Sequence, residues 1–216
     1  MQIVSWCILI KINKMKKVVL VVFALLSFST VKSQEKLMKV SPFHFADATF
    51  NMSLEKELGV DKSVNLTGGI HLVEDGWNYD NEKGLTAEIQ LRKYVLNFKN
   101  SESKLNGVYV APYGRLSYFR MNDTYYDWYY EYDDLGNPID RSEETSVSAS
   151  SKSGQAGVVM GVQYIMSDVV LVDFFLGGGL QYSIEAGNRD DRYYGDNFRF
   201  YTGVLPKIGF NFGVKL

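Results

Sequence analysis

A single cysteine, Cys7, occurs in the 216 residues, and it stands in an N-terminal segment read below as removable. The rest of the chain therefore has no disulfide, no thiolate metal site and no thiol nucleophile. Histidine is nearly as scarce. His44 and His71 are the only two, and general acid–base catalysis draws on histidine more than on any other side chain. No Gly-x-Ser-x-Gly elbow, His-Glu-x-x-His pair or phosphate loop is present. Ser41 and Ser53 are available as nucleophiles, but no motif places them. Both histidines read as satisfied or solvated side chains, and the expectation is no enzyme, no catalytic residue, no cofactor and no metal. Asp75-Gly76-Trp77-Asn78 and Asp134-Leu135-Gly136-Asn137 are too short a match for a calcium loop. Four prolines and no low-complexity linker argue for one domain. After residue 33 no apolar run reaches the roughly 20 residues of a spanning helix.

The first 33 residues hold five lysines and no acid. Met15-Lys16-Lys17 leads into the apolar run Val18 to Leu26, and the small residues Ser27, Ser29 and Ser33 follow. A basic stretch, a short apolar stretch and small residues are the parts of a secretory signal peptide. Cleavage is expected after Ser33, with Met15 as the functional start, so that 1–33 is the signal peptide and 34–216 the mature domain. That domain keeps 18 basic and 25 acidic side chains, a formal net charge of −7. Nucleic-acid binding needs a basic footprint, and this balance excludes it.

What the chain has in plenty is glycine (19), tyrosine (15) and phenylalanine (13), a mixture that favours strands. Period-two alternation is the clearest pattern. Ala48, Phe50, Met52 and Leu54 alternate with Thr49, Asn51, Ser53 and Glu55. Similar alternation runs through Val64 to Leu72, Thr86 to Tyr94, Val108 to Arg120, Gly157 to Met166, Val170 to Tyr182 and Val204 to Leu216. Lys36 to Phe45, which contains Pro42, supplies an eighth segment. Segments of about 9 to 11 residues match a tilted strand crossing a bilayer. Short joins (58–62, 97–106, 167–168) alternate with long ones (73–84, 121–153, 183–199), as in membrane barrels. The expected fold is all-β: an eight-stranded antiparallel transmembrane β-barrel of outer-membrane type.

The same register turns Glu55, Glu88, Arg92, Arg115, Asp173 and Lys207 inward. Three acids and three bases nearly cancel. An eight-stranded interior is just wide enough for side chains to fill, so this network reads as a structural plug, with a narrow channel as the competing reading. Inward Gly161, Gly177, Gly179 and Gly209 would make room for the larger groups. The segment 121–153 holds eight acids, two bases and the aromatics Tyr125, Tyr126, Trp128, Tyr129, Tyr130 and Tyr132, and part of it alternates, which allows the strand hairpin to extend outward from the bilayer. Such residues suit an interfacial belt or a surface that binds a glycan, peptide or protein.

Phe50-Asn51-Met52-Ser53-Leu54-Glu55-Lys56, Ala87-Glu88-Ile89-Gln90-Leu91-Arg92-Lys93-Tyr94, Gly107-Val108-Tyr109-Val110-Ala111-Pro112-Tyr113-Gly114-Arg115 and Leu205-Pro206-Lys207-Ile208-Gly209-Phe210-Asn211-Phe212-Gly213 carry a resemblance. The chain resembles the small outer-membrane β-barrel proteins of Bacteroidota, close to the family of unknown function 3575. The C-terminal Leu216 departs from the aromatic residue with which such barrels often end. The resemblance supports inward charges at Glu55, Glu88, Arg92 and Arg115 but names no catalytic or binding residue. The expected function is a structural or envelope-maintenance role in the outer membrane of a Gram-negative bacterium. Its expected partners are outer-membrane lipid, lipopolysaccharide and the outer-membrane insertion machinery. The alternatives are a surface-binding module acting through 121–153 and a narrow channel.

Overall fold

The computed structural model describes residues 35–74, 81–98, 103–132, 138–166, 169–187 and 201–216. The expected signal segment, with its start and cleavage points, and the short stretches 75–78 and 134–137 lie outside them. The described chain is all-β: β1 (Lys36–Val40), a 3-10 helix (Pro42–Asp47), β2 (Thr49–Gly59), β3 (Lys62–Glu74), β4 (Asn81–Asn97), β5 (Gly107–Tyr132), β6 (Pro138–Met166), β7 (Val170–Gly187) and β8 (Gly203–Lys215). Each strand pairs antiparallel with its sequence neighbours, and β1 also pairs with β8, which closes the sheet into a barrel.

Strand pleating sends alternate side chains to opposite faces, and the sequence uses this with little interruption. On β2, Thr49, Asn51, Ser53, Glu55 and Glu57 are buried inside, while Phe50, Met52, Leu54 and Leu58 lie exposed outside. The same division runs round the ring, with Ile89, Leu91, Leu116, Val158, Met160, Leu176, Val204 and Ile208 all exposed on the outer wall. Polar groups are therefore inside and apolar ones outside, the reverse of a water-soluble domain. The lumen is narrow because glycines face its largest rings. A Cβ on Gly161 would stand 2.4 Å from the Tyr109 ring, and one on Gly209 would stand 2.2 Å from the Phe175 ring. Leu37, Leu105, Ile165 and Leu171 seal one end of the lumen with buried apolar side chains.

Three features correct the expected architecture. First, the segment from Lys36 to Phe45 is not one strand. Pro42 lacks a backbone donor and disfavours continued pairing, so β1 stops at Val40 and a 3-10 helix follows, ending at Ala48 in a left-handed conformation (φ 46°). Second, β1 has five residues, pairing with five on β2 and four on β8. At about 3.3 Å per residue such a strand reaches roughly 17 Å, well short of the 9 to 11 residues that crossing a bilayer requires. The 3-10 helix packs against β2 and β8 beyond this short seam. Third, most of the expected loop 121–153 is strand, because β5 and β6 have 26 and 29 residues.

The reading as an outer-membrane barrel of eight bilayer-crossing strands does not survive the second feature. The structural or envelope-maintenance role, the lipid and lipopolysaccharide partners, the insertion machinery and the outer-membrane address rested on those eight strands, and they are withdrawn with them. No helix among the described residues is long and apolar enough to cross a membrane, which says nothing about strands.

The apolar outer wall itself is a fact of the fold, and contiguous apolar surface of this extent favours association in water. The folded protein is expected to be monodisperse in a mild non-ionic detergent and to self-associate when the detergent is removed. Size-exclusion chromatography with light scattering checks this; a detergent-free monomer would contradict it.

Candidate functional site: a charged lumen and an external aromatic ribbon

Strand register brings Lys39 of β1, Glu55 of β2, Arg92 of β4 and Asp173 of β7 to one level of the lumen, all four side chains without solvent exposure. Lys39 Nζ bridges the Glu55 carboxylate and Asp173 Oδ2, the latter at 3.1 Å. Arg92 Nη1 lies 3.1 Å from Glu55 Oε2 and 3.0 Å from Asp173 Oδ2. Two cations thus face two anions, and the remaining lone pairs and protons are used as well. Tyr94 donates its hydroxyl to Glu55 Oε1 at 2.8 Å, and Tyr109 donates to Asp173 Oδ1 at 2.7 Å. Gln163 Oε1 accepts from Lys39 at 2.5 Å and from Arg92 at 3.2 Å, while its amide donates to Tyr94 Oη and to the Leu105 carbonyl. Gln90 Oε1 accepts from Arg92 Nε and Nη2 at 2.9 and 2.8 Å. The Arg92 guanidinium lies 4.2 Å from the centre of the Tyr109 ring, within cation–π range.

Burial alone pushes the Glu55 and Asp173 carboxyls up. The facing Lys39 and Arg92 charges outweigh that and hold both below the ordinary carboxylate range. Desolvation first, and the neighbouring carboxylates second, push the Tyr94 and Tyr109 hydroxyls well above theirs, so both remain donors. A charged set this completely hydrogen-bonded is stable only as a set, since removing one member leaves another buried and unpaired.

A second pair lies further along the lumen. Lys207 Nζ of β8 reaches Glu88 Oε2 of β4 at 2.6 Å, and Gln90 donates to Glu88 Oε1 at 2.8 Å. Lys207 also lies 4.6 Å from the Tyr113 ring centre. Burial, and then the Glu88 charge, push the Tyr113 hydroxyl up to about 12. Arg115 is half-buried opposite Glu88 in the β4–β5 register.

Of the six charged residues picked out by alternation, the structure thus gathers Glu55, Arg92 and Asp173 into one cluster and Glu88 with Lys207 into another, with Arg115 beside the second. The missing central member is Lys39. Its signal was present in the alternation of Leu37 and Lys39 with Met38 and Val40. Gln163, Tyr94 and Tyr109 lie on inward positions too, but nothing in a linear sequence shows that they meet.

The histidines hold structural positions. Ser41 Oγ donates to the Phe210 carbonyl at 3.1 Å and lies 3.0 Å from His44 Nδ1, which ties the 3-10 helix to β8. His71 is buried, with Nδ1 2.8 Å from Thr49 Oγ1 and Nε2 3.4 Å from Glu82. Among the described residues no group of three histidines, cysteines or acids is placed to hold a metal.

Outside the barrel, β5 and β6 continue as a two-stranded ribbon. β4 pairs with β5 only as far as Asn122, and β7 with β6 only as far as Ala149, whereas the β5–β6 ladder runs on from Asp123↔Val147 to Tyr132↔Pro138. Tyr126, Trp128 and Tyr130 share one face of the ribbon and are 56%, 75% and 70% exposed; Tyr129 is exposed on the other. Glu131, Glu143 and Glu144 are exposed nearby, and Arg141 pairs with Glu131 at 2.9 Å. Tyr125 and Tyr132 belong to β5, but their side chains lie outside the described ones.

No protein-family profile matches the chain. No curated protein and no solved structure is found to be similar to it.

Two predictions follow from the lumen. Lys39→Met leaves Glu55 and Asp173 sharing Arg92 alone and is expected to cost about 3–5 kcal/mol of stability, measured by denaturant unfolding. A loss below 1 kcal/mol would contradict the arrangement. For pH, Glu55 and Asp173 titrate lower folded than unfolded. Their stabilisation is present above the unfolded carboxylate value of about 4 and is lost as pH falls through the lower folded values. The unfolding midpoint should fall steeply below about pH 4, and less steeply in Asp173→Asn.

Proposed function

We propose that this protein is a non-catalytic binding protein, in which a barrel locked from inside presents the β5–β6 ribbon to a protein partner. The observation that carries this reading is the row of Tyr126, Trp128 and Tyr130 exposed on a ribbon that, among the described residues, pairs only with itself. An isolated two-stranded ribbon is marginal in water, and a free strand edge is a template for further pairing. Tyr and Trp are also the side chains most enriched at binding hot spots. The exposed acids Glu131, Glu143 and Glu144 favour a partner surface that carries cations, which would speed encounter and set orientation.

The charged lumen supports the same reading. It is filled at the level of Lys39, Arg92 and Tyr109, and its work is to hold β4 to β7 rigid beneath the ribbon. Rigidity lowers the ordering cost of binding.

The test places a photo-crosslinking amino acid at Trp128 and, as a control, at Met52 on the outer wall, with the protein expressed in its own cells. A discrete cross-linked product from position 128, absent from position 52 and lost when Tyr126 and Tyr130 are both alanine, is expected. No product, or the same products from both positions, would overturn the reading. The double alanine variant should keep the unfolding free energy of the parent within about 0.5 kcal/mol, as exposed substitutions do.

A further inference from the structure

On the ribbon side of the Lys39 cluster the lumen changes character. Arg115 stands opposite Gln155, and Ser117 opposite Ser153, on the inward faces of β5 and β6. All four residues are half-buried. Lower in the lumen Glu55, Asp173 and Glu88 each have a cation in contact. Arg115 has no anion in contact. Among the described residues its side chain makes no hydrogen bond and no ion pair, and neither do those of Ser117, Ser153 and Gln155.

The charges at this level do not cancel. Glu88 is the register neighbour of Arg115, but its carboxylate is taken by Lys207 at 2.6 Å. Two positive side chains therefore meet one negative one, an excess of one positive charge. The two cations and two anions of the Lys39 cluster already balance, so they offset none of it. A guanidinium cannot shed its proton, and a charge drawn partly out of water is costly until something pairs with it. A cavity of about 30 Å³ reaches Arg115 and Lys207, with Thr86 and Glu88 also on its wall.

We propose that Arg115, Gln155 and the two flanking serines form a binding site for a small monocarboxylate. Three features select that class. The excess of one positive charge calls for a monoanion and disfavours both cations and dianions. The groups without partners are donors: a guanidinium fork, an amide N–H₂ and two hydroxyls. A fork of parallel N–H groups matches two oxygens held in a plane better than it matches a spherical halide. The space agrees in scale. At roughly 10–15 Å³ for one water, the cavity has the room of two to three waters, as many as the heavy atoms of formate. The carboxylate would accept from the Arg115 fork and from Gln155, with its remaining lone pairs toward the serine hydroxyls. This site is separate from the exposed ribbon and does not depend on what the ribbon binds.

The test uses the full chain, folded in a mild non-ionic detergent, and follows the Gln155 side-chain amide and the Arg115 Nε–H by NMR. Sodium formate replaces sodium chloride at constant ionic strength. Both signals should shift and saturate. Arg115→Gln should weaken the response at Gln155 at least about tenfold, as the loss of a charge-assisted hydrogen bond does. Arg120→Gln, on the outward face of the same strand, should leave it unchanged. A shift that never saturates, a response that survives Arg115→Gln, or sulfate saturating the same signals at lower concentration would each overturn the assignment. Arg115→Gln breaks no contact within the barrel and should fold. If it does not, the double variant Gln155→Leu, Ser153→Ala is read at Arg115 Nε instead, where weaker formate binding supports the site and unchanged binding overturns it.

Discussion

The neutralisation of four buried charges is the constraint on which the rest of the barrel depends. Lys39, Glu55, Arg92 and Asp173 come from the first, second, fourth and seventh strands, so they meet only if the sheet has rolled up and closed. Placing even one such charge in a narrow lumen without its partner is expensive. The set therefore acts as a check on closure: a slipped register would turn each charge to the outer wall and each outer leucine to the lumen. The tyrosines and Gln163 that complete its hydrogen bonds raise the cost of partial formation further.

This constraint also explains why the inside is polar while the outside is not. The pleat allows only two faces. Once the charged set occupies one face of β2, β4 and β7, the alternate positions, such as Met52, Leu91 and Leu176, can only face outward. The short first strand fits the same logic. β1 contributes Leu37 and Lys39 to the lumen and closes the seam to β8, and after Val40 the chain is free to leave the sheet. Pro42 then turns the later half of the segment expected as one strand to Phe45 into a helix packed against β2 and β8.

The ribbon stands apart from this economy of charge. Nothing in the lumen requires β5 and β6 to extend past Asn122 and Ala149. Extension beyond the rim adds exposed aromatic surface without adding core, and the proposed binding role rests on that surface. The lumen and the ribbon form a division of labour, one rigid and satisfied, the other exposed.

Alternation was legible from the residues because the side-chain period of a strand is two whatever the strand pairs with. It placed Glu55, Glu88, Arg92, Arg115, Asp173 and Lys207 on the inner face, and the alternation of Lys39 with Met38 and Val40 carries the same signal. Strand ends were not legible. Whether Thr124 to Tyr132 is loop or ladder depends on a partner strand 138–146 arriving opposite it, and polar or aromatic residues accept either outcome. Nor could alternation show that Arg92 bridges Glu55 and Asp173 rather than Glu88. The sequence by itself determined which side chains share a face, through the geometry of one strand. Only the tertiary structure decided which of them touch, because contact across a lumen is set by register around a closed ring, and that register belongs to no strand alone.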